Sequence, residues 1–152
     1  YEQAFDVIKR LGLPMRAREQ QFRRMLFNVV ARNQDDHVKN VAFLMDKAGH
    51  WSLSPAFDVT YAYNPAGLWT SRHQMTINGK TDDFTLKDFK AVAQVAGLKR
   101  GRPEAILLEV LDAVKQWPRY AKTGGVLGPQ RDKITRTLRL KFDRRGILTS
   151  QR

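Results

Sequence analysis

Three features of this sequence predict a mainly α-helical fold carrying one small β-hairpin. Apolar residues recur every three to four positions in several stretches separated by Gly and Pro. Two strand-length runs, residues 41–45 and 51–54, flank a turn that contains Gly49. With 152 residues, 42% of them hydrophobic, the chain can bury one core but not two.

The elements follow in order. Residues 2–11 read as a short helix that stops before Gly12 and Pro14. After Pro14, residues Phe22, Met25, Leu26, Val29 and Val30 fall on one stripe, with Arg16, Arg18, Glu19, Arg23 and Arg24 on the wet side. That helix is expected to end near Arg32, because Asn33, Asp35 and Asp36 compete for backbone hydrogen bonds and favour caps and loops. The hairpin comes next, ended by Pro55, which has no N–H to donate to a ladder. Residues 62–84 show no period and are expected to form a long irregular loop.

Thr85 then reads as an N-cap, and Leu86, Phe89, Val92, Ala93 and Ala96 as a helical stripe that stops at Gly97. A further helix opens with Pro103 in its first turn. Its stripe is Ile106, Leu107, Val110, Leu111, Val114 and Trp117, with Pro118 as its stop. Gly124 to Pro129 read as a turn, and a last helix is expected to carry Ile134, Leu138 and Phe142. One domain over residues 1–143 results, with residues 144–152 expected to fray.

Charge is unevenly spread along the chain. The net +12 divides into +3 over residues 1–50, zero over 51–98 and +9 over 99–152. Such a basic third can attract nucleic acid or an acidic partner, or be a solvated helical face. Aromatic residues that would stack bases are sparse there: Trp117, Tyr120 and Phe142. There is no cysteine, so a disulfide framework is excluded. No apolar run approaches the roughly 20 residues of a membrane-spanning helix, and no signal-peptide pattern opens the chain. A cytoplasmic protein with no membrane partner is expected. The chain starts at Tyr1 without an initiator Met, as a piece of a longer protein would.

The chemistry-bearing segment is Asn33-Gln34-Asp35-Asp36-His37-Val38-Lys39-Asn40, followed by Asp58 in Ser54-Pro55-Ala56-Phe57-Asp58. A carboxylate at Asp35 can accept a proton from a hydroxyl. The Asn40 amide oxygen and the Asp58 carboxylate can ligate a hard cation such as Mg²⁺, which favours oxygen donors and substrate phosphates. Lys39 is a point charge suited to a phosphate oxygen. An Asp followed five residues later by an Asn is the spacing of the protein-kinase catalytic loop, and a later Asp there holds the metal again. A tight hairpin between Asn40 and Asp58 would bring the three oxygen donors together. By spacing alone, the same cluster also reads as a helix C-cap and turn. His50 and His73 have no partner at metal-ligand spacing, so no zinc site is expected and neither receives a role.

The combined pattern N-x-D-D-H-x-K-N, hairpin, W-x-L-S-P-A-F-D resembles the C-terminal domain of the HipA-type toxin kinases, bacterial serine/threonine protein kinases of toxin–antitoxin modules. The resemblance covers most of residues 1–142. It implies the helical C-terminal lobe of a kinase-like fold and phosphoryl transfer from Mg·ATP to a protein hydroxyl. Carried over by position, it implies that Asp35 is the proton acceptor. His37 and Lys39 would face the nucleotide phosphates, Asn40 and Asp58 would bind Mg²⁺, and Phe57 would border the nucleotide. Family members vary at the position of Asp36. The partners implied are a protein substrate, an antitoxin protein and, through it or by the basic third directly, operator DNA.

This sequence departs from ordinary protein kinases at Asn33, which stands where their catalytic loop has His. The D-x-H-x-x-N order also resembles lipid kinases. No G-x-G-x-x-G stretch follows a strand, so the nucleotide-covering N-terminal lobe is expected to be absent and the 152 residues alone to be inactive. Two alternatives stand beside this reading: a non-catalytic basic helical module that binds DNA or an acidic partner, and a small-molecule or lipid kinase relative with the same Asp35, Asn40 and Asp58 roles.

Overall fold

The computed structural model describes residues 1–142 and has the expected class. Helix α1 (Glu2–Arg10) buries Ala4, Phe5 and Ile8. Helix α2 (Met15–Ala31) starts on Pro14 and buries the predicted stripe, with Phe22, Met25, Leu26, Val29 and Val30 all at 0% exposure. It ends where Arg32 adopts a left-handed conformation, φ +61°, and turns the chain toward the site. A 3₁₀ turn (Val38–Asn40) leads into strands β1 (Phe43–Met45) and β2 (Trp51–Leu53). These pair antiparallel with Phe43 opposite Leu53 and Met45 opposite Trp51.

Helix α3 (Leu86–Ala96) has a capping box, in which the Asp88 carboxylate accepts from the Thr85 N–H at 2.8 Å, and it closes on Gly97 at φ +72°. Asp88 is nearly buried. Burial alone would raise its pKa, but hydrogen bonds from Lys80, Asn78 and Thr85 outweigh that and hold it well below the usual carboxylate range. Helix α4 (Arg102–Val114) buries Ile106, Leu107, Val110, Leu111 and Val114 and packs most extensively against α2. This helix pair forms the centre of the core, with α1 and α3 against it.

Two boundaries differ from expectation. Helix α4 ends at Val114, and Trp117 begins a separate helix α5 (Trp117–Thr123) with Pro118 in its first turn, so Pro118 starts a helix rather than stopping one. Proline's missing N–H costs nothing there. Trp117 is half-buried and donates its indole N–H to the Arg131 carbonyl at 3.2 Å. Helix α6 (Gly128–Thr137) takes in Gly128 and Pro129, which were expected to lie in the turn, and stops before Leu138. Leu138, Leu140 and Phe142 therefore reach the core from outside any helix. The backbone there is recruited elsewhere, the Arg139 N–H donating to the Val30 carbonyl at 3.0 Å. Residues 144–152, expected to fray, lie outside the described residues.

Residues 62–84 are irregular, as expected, but their second half is anchored. Ile77 is at 0% exposure, His73 at 2% and Phe84 at 8%. Asn78 and Gly79 both have positive φ and make a two-residue turn between the bridged Ile77 and Lys80. No helix among the described residues is long and apolar enough to cross a membrane.

Candidate active site

The site is assembled by two loops that the end of α2 and the hairpin bring side by side. After Arg32, the Asn33 N–H stays bonded to the Asn28 carbonyl at 2.9 Å, and the Arg32 carbonyl accepts from the Ala62 N–H at 3.1 Å. The Asn33 side-chain amide donates to Asn28 Oδ1 at 3.2 Å and to the Asp58 carbonyl at 3.3 Å. Beyond the hairpin, the Ser54 N–H bonds the Ala42 carbonyl at 3.0 Å, and Arg24 of α2 bonds the Ser54 carbonyl at 2.6 Å. These ties return the chain to the start of the hairpin, and Asp58 completes the approach with a left-handed φ of +51°.

The three oxygen donors separated in sequence do converge. One nitrogen or oxygen from each of Asp35, His37 and Asp58 lies within 4.8 Å of the others. Asn40 Nδ2 donates to Asp58 Oδ2 at 2.8 Å and to the Asp35 carbonyl at 3.1 Å. Both hydrogens of that amide are thereby spent, and Oδ1 is the atom it can offer a ligand. His37 Nε2 stands 4.0 Å from Asp35 Oδ1. The donor set suits Mg²⁺: carboxylate and amide oxygens with open sides for water and phosphate. The imidazole nitrogen is a poor donor for so hard a cation, which leaves His37 free to meet an anion.

A cleft of about 220 Å³ lies between these loops and α2. His37, Asn40, Phe57 and Asp58 line it, and Phe57 is 44% exposed at its edge. Asp35 is half-buried beside the other donors. Lys39 is exposed on the 3₁₀ turn and does not line this cleft. Of the six sequence-selected residues, Asp35, His37, Asn40 and Asp58 form one cluster, Phe57 adjoins it, and Lys39 stands outside.

Spacing missed the residues that carry this cluster from below. Asp36 is 2% exposed and accepts from the Tyr1 hydroxyl at 2.6 Å and the Gln74 N–H at 2.8 Å. Its Oδ2 also lies 2.9 Å from Nδ1 of His73, the histidine to which spacing gave no role. Burial and the adjacent Asp36 carboxylate push the Tyr1 phenol well above its ordinary pKa, so it stays a donor. These partners are 35 to 38 residues from Asp36, and no local pattern marks them.

The family model described as "HipA-like C-terminal domain" matches residues 1–117, which include the cluster and the Asp36 contacts but not helices α5 and α6 beyond Trp117. No curated protein matches the chain.

Proposed function

The chain belongs to the HipA-like C-terminal domain family, and from that premise we propose that it supplies the catalytic-loop half of a serine/threonine protein kinase acting in a bacterial toxin–antitoxin module. The observation that carries this function is the gathering of Asp35, Asn40 and Asp58 from both sides of the hairpin. The reaction transfers the γ-phosphoryl group of ATP to a protein hydroxyl: the hydroxyl oxygen bonds to phosphorus, the bond to the β-phosphate bridging oxygen breaks, and ADP leaves.

Asp35 is the group that takes the hydroxyl proton. Among the described residues its half-exposed carboxylate accepts no hydrogen bond, with His37 and Asp58 as polar neighbours, so it is open to an incoming acceptor. Asn40 Oδ1 and Asp58 would hold Mg²⁺, which, when bound, neutralises phosphate charge. His37, beside Asp35 and lining the cleft, would face the phosphates, and Phe57 would give the nucleotide an apolar border. Lys39, exposed outside the cleft, is the residue whose flexible stem would have to carry its charge to a phosphate oxygen.

The proposed partners are a protein substrate, an antitoxin and, through the antitoxin, operator DNA, in the bacterial cytoplasm. The route through the antitoxin is the one proposed; in the basic third, four of the fourteen Lys and Arg side chains are seen paired within the chain. Arg102 bonds Glu19 and Glu109, Lys115 bonds Asp112, Arg131 bonds Asp132, and Arg139 pairs with Asp82 under the Phe84 ring.

The test is phosphoryl transfer from radiolabelled ATP by the full-length gene product. Asp35→Ala is expected to lower the rate by about 10²- to 10⁴-fold, the usual contribution of a general base, with the circular dichroism spectrum unchanged. Near-normal transfer by the variant would refute the assignment of the base.

A further inference from the structure

Asp35 and Asp36 are neighbours in sequence with opposite surroundings. The first is half-exposed near Asp58; the second is 2% exposed. Burying a carboxylate costs several kcal/mol even after relaxation, and an apolar side chain would fill the space more cheaply. What an apolar residue could not do is accept from three directions. The Tyr1 hydroxyl, the His73 ring and the Gln74 N–H all meet this one carboxylate. They come from the start of α1 and from the 62–84 loop. Tyr1 is itself oriented by α2, through Asn28 Nδ2 at 2.9 Å from its hydroxyl oxygen.

His73 supplies the sharper clue. Its side chain is 0% exposed, its ring packs edge-on to Phe84 at 5.3 Å between centroids, and its Nε2 is buried with no hydrogen-bond partner among the described residues. Packing alone would be served by a phenylalanine or leucine, and an unpartnered buried nitrogen is a cost. Among the described residues, the one polar contact of the ring is at Nδ1, 2.9 Å from Asp36. Gln74 extends the connection outward, since its side-chain amide also bonds the Trp69 carbonyl.

We propose that Asp36 is a positioning residue: held by Tyr1, His73 and Gln74, it fixes the backbone that carries Asp35 and latches the 62–84 loop to the catalytic loop. Its bearing on catalysis rests on the phosphoryl-transfer function proposed above; the latch itself does not.

The test exploits the shape of the histidine. An asparagine at position 73 places an amide N–H near the site of Nδ1, whereas a glutamine places it near Nε2 and away from Asp36. Amide hydrogen exchange is measured over residues 33–40 and 70–77 in the full-length protein and its variants. Asp36→Asn and His73→Gln are expected to speed exchange in both segments by about tenfold or more, as loss of a local closing interaction does, with His73→Asn within about threefold of wild type. In the transfer assay, Asp36→Asn and His73→Gln are expected to lower kcat by about 10- to 100-fold, typical for a residue that orients an active group. KM for ATP should be nearly constant, and His73→Asn should recover most of the rate. Unchanged exchange in Asp36→Asn, or equal behaviour of the two His73 variants, would overturn the latch. If Asp36→Asn does not fold, the His73 pair still decides. A wild-type protein that transfers no phosphate would sink the proposed function, while the exchange comparison would still judge the latch.

Discussion

Helices α2 and α4 and the two loops around the cleft are held together by opposite kinds of interaction. The helix pair meets through Phe22, Met25, Leu26, Ile106, Val110 and Leu111, all in one apolar cluster. The loops meet through amides and carboxylates: Asn33 to Asn28 and Asp58, Asn40 to Asp58, and Asp36 to three donors. Apolar contact is non-directional and supplies stability; hydrogen bonds fix angles and distances and are costly when broken. The molecule therefore places its chemistry on irregular backbone braced against a rigid helical floor, as functional loops commonly are.

That division can be broken from either side. Phe22→Ala should have the largest effect on stability, about 3–5 kcal/mol by removal of a fully buried ring, read as the midpoint shift in chemical denaturation. Asp35→Ala should do the reverse and leave stability within about 0.5 kcal/mol, as surface substitutions do. A destabilisation by Asp35→Ala comparable to that of Phe22→Ala would erase the distinction between floor and site.

Asp88 tests a polar group that serves the floor rather than the site. Its folded-state pKa is depressed, so its charged hydrogen bonds stabilise the protein above the unfolded carboxylate value, and that stability drains away as pH falls toward the folded-state value. Asp88→Asn should cost about 1.5–3 kcal/mol at neutral pH, the range for hydrogen bonds to a charged group. The gap from wild type should narrow as pH falls below about 4, where the unfolded carboxyl protonates. A gap independent of pH would show that the charge contributes nothing. A smaller loss than at Phe22 or Asp88 is expected at Gly97, whose φ of +72° closes α3. Gly97→Ala should cost about 1 kcal/mol through the left-handed strain on a Cβ, measured by the same denaturation midpoint.

The floor was more legible in the sequence than the site's support. Helix α3 could be read almost to the residue because its signals are local: Thr85 at one end, Gly97 at the other. The boundary between α4 and α5 could not, because Trp117 continues the apolar spacing across the break and Pro118 suits a helix start as well as a helix end. At the end of α6, Leu138 also keeps the period, but tertiary bonding of Arg139 to Val30 takes the backbone out of the helix. Asp35, Asn40 and Asp58 were legible because a tight hairpin makes distant positions neighbours. Asp36 and His73 were not, since their meeting depends on how 36 intervening residues are routed.

The central claim is that Asp58 and Asn40 hold one divalent ion beside Asp35. The most direct measurement is titration of the full-length protein with Mn²⁺ as a stand-in for Mg²⁺, following the free-ion signal by electron paramagnetic resonance in the presence of ADP. Wild type should bind one ion per chain, and Asp58→Asn should weaken that binding by about tenfold or more, the tenfold corresponding to 1.4 kcal/mol. Binding that is unchanged in both Asp58→Asn and Asn40→Ala, or absent from wild type, would contradict the claim.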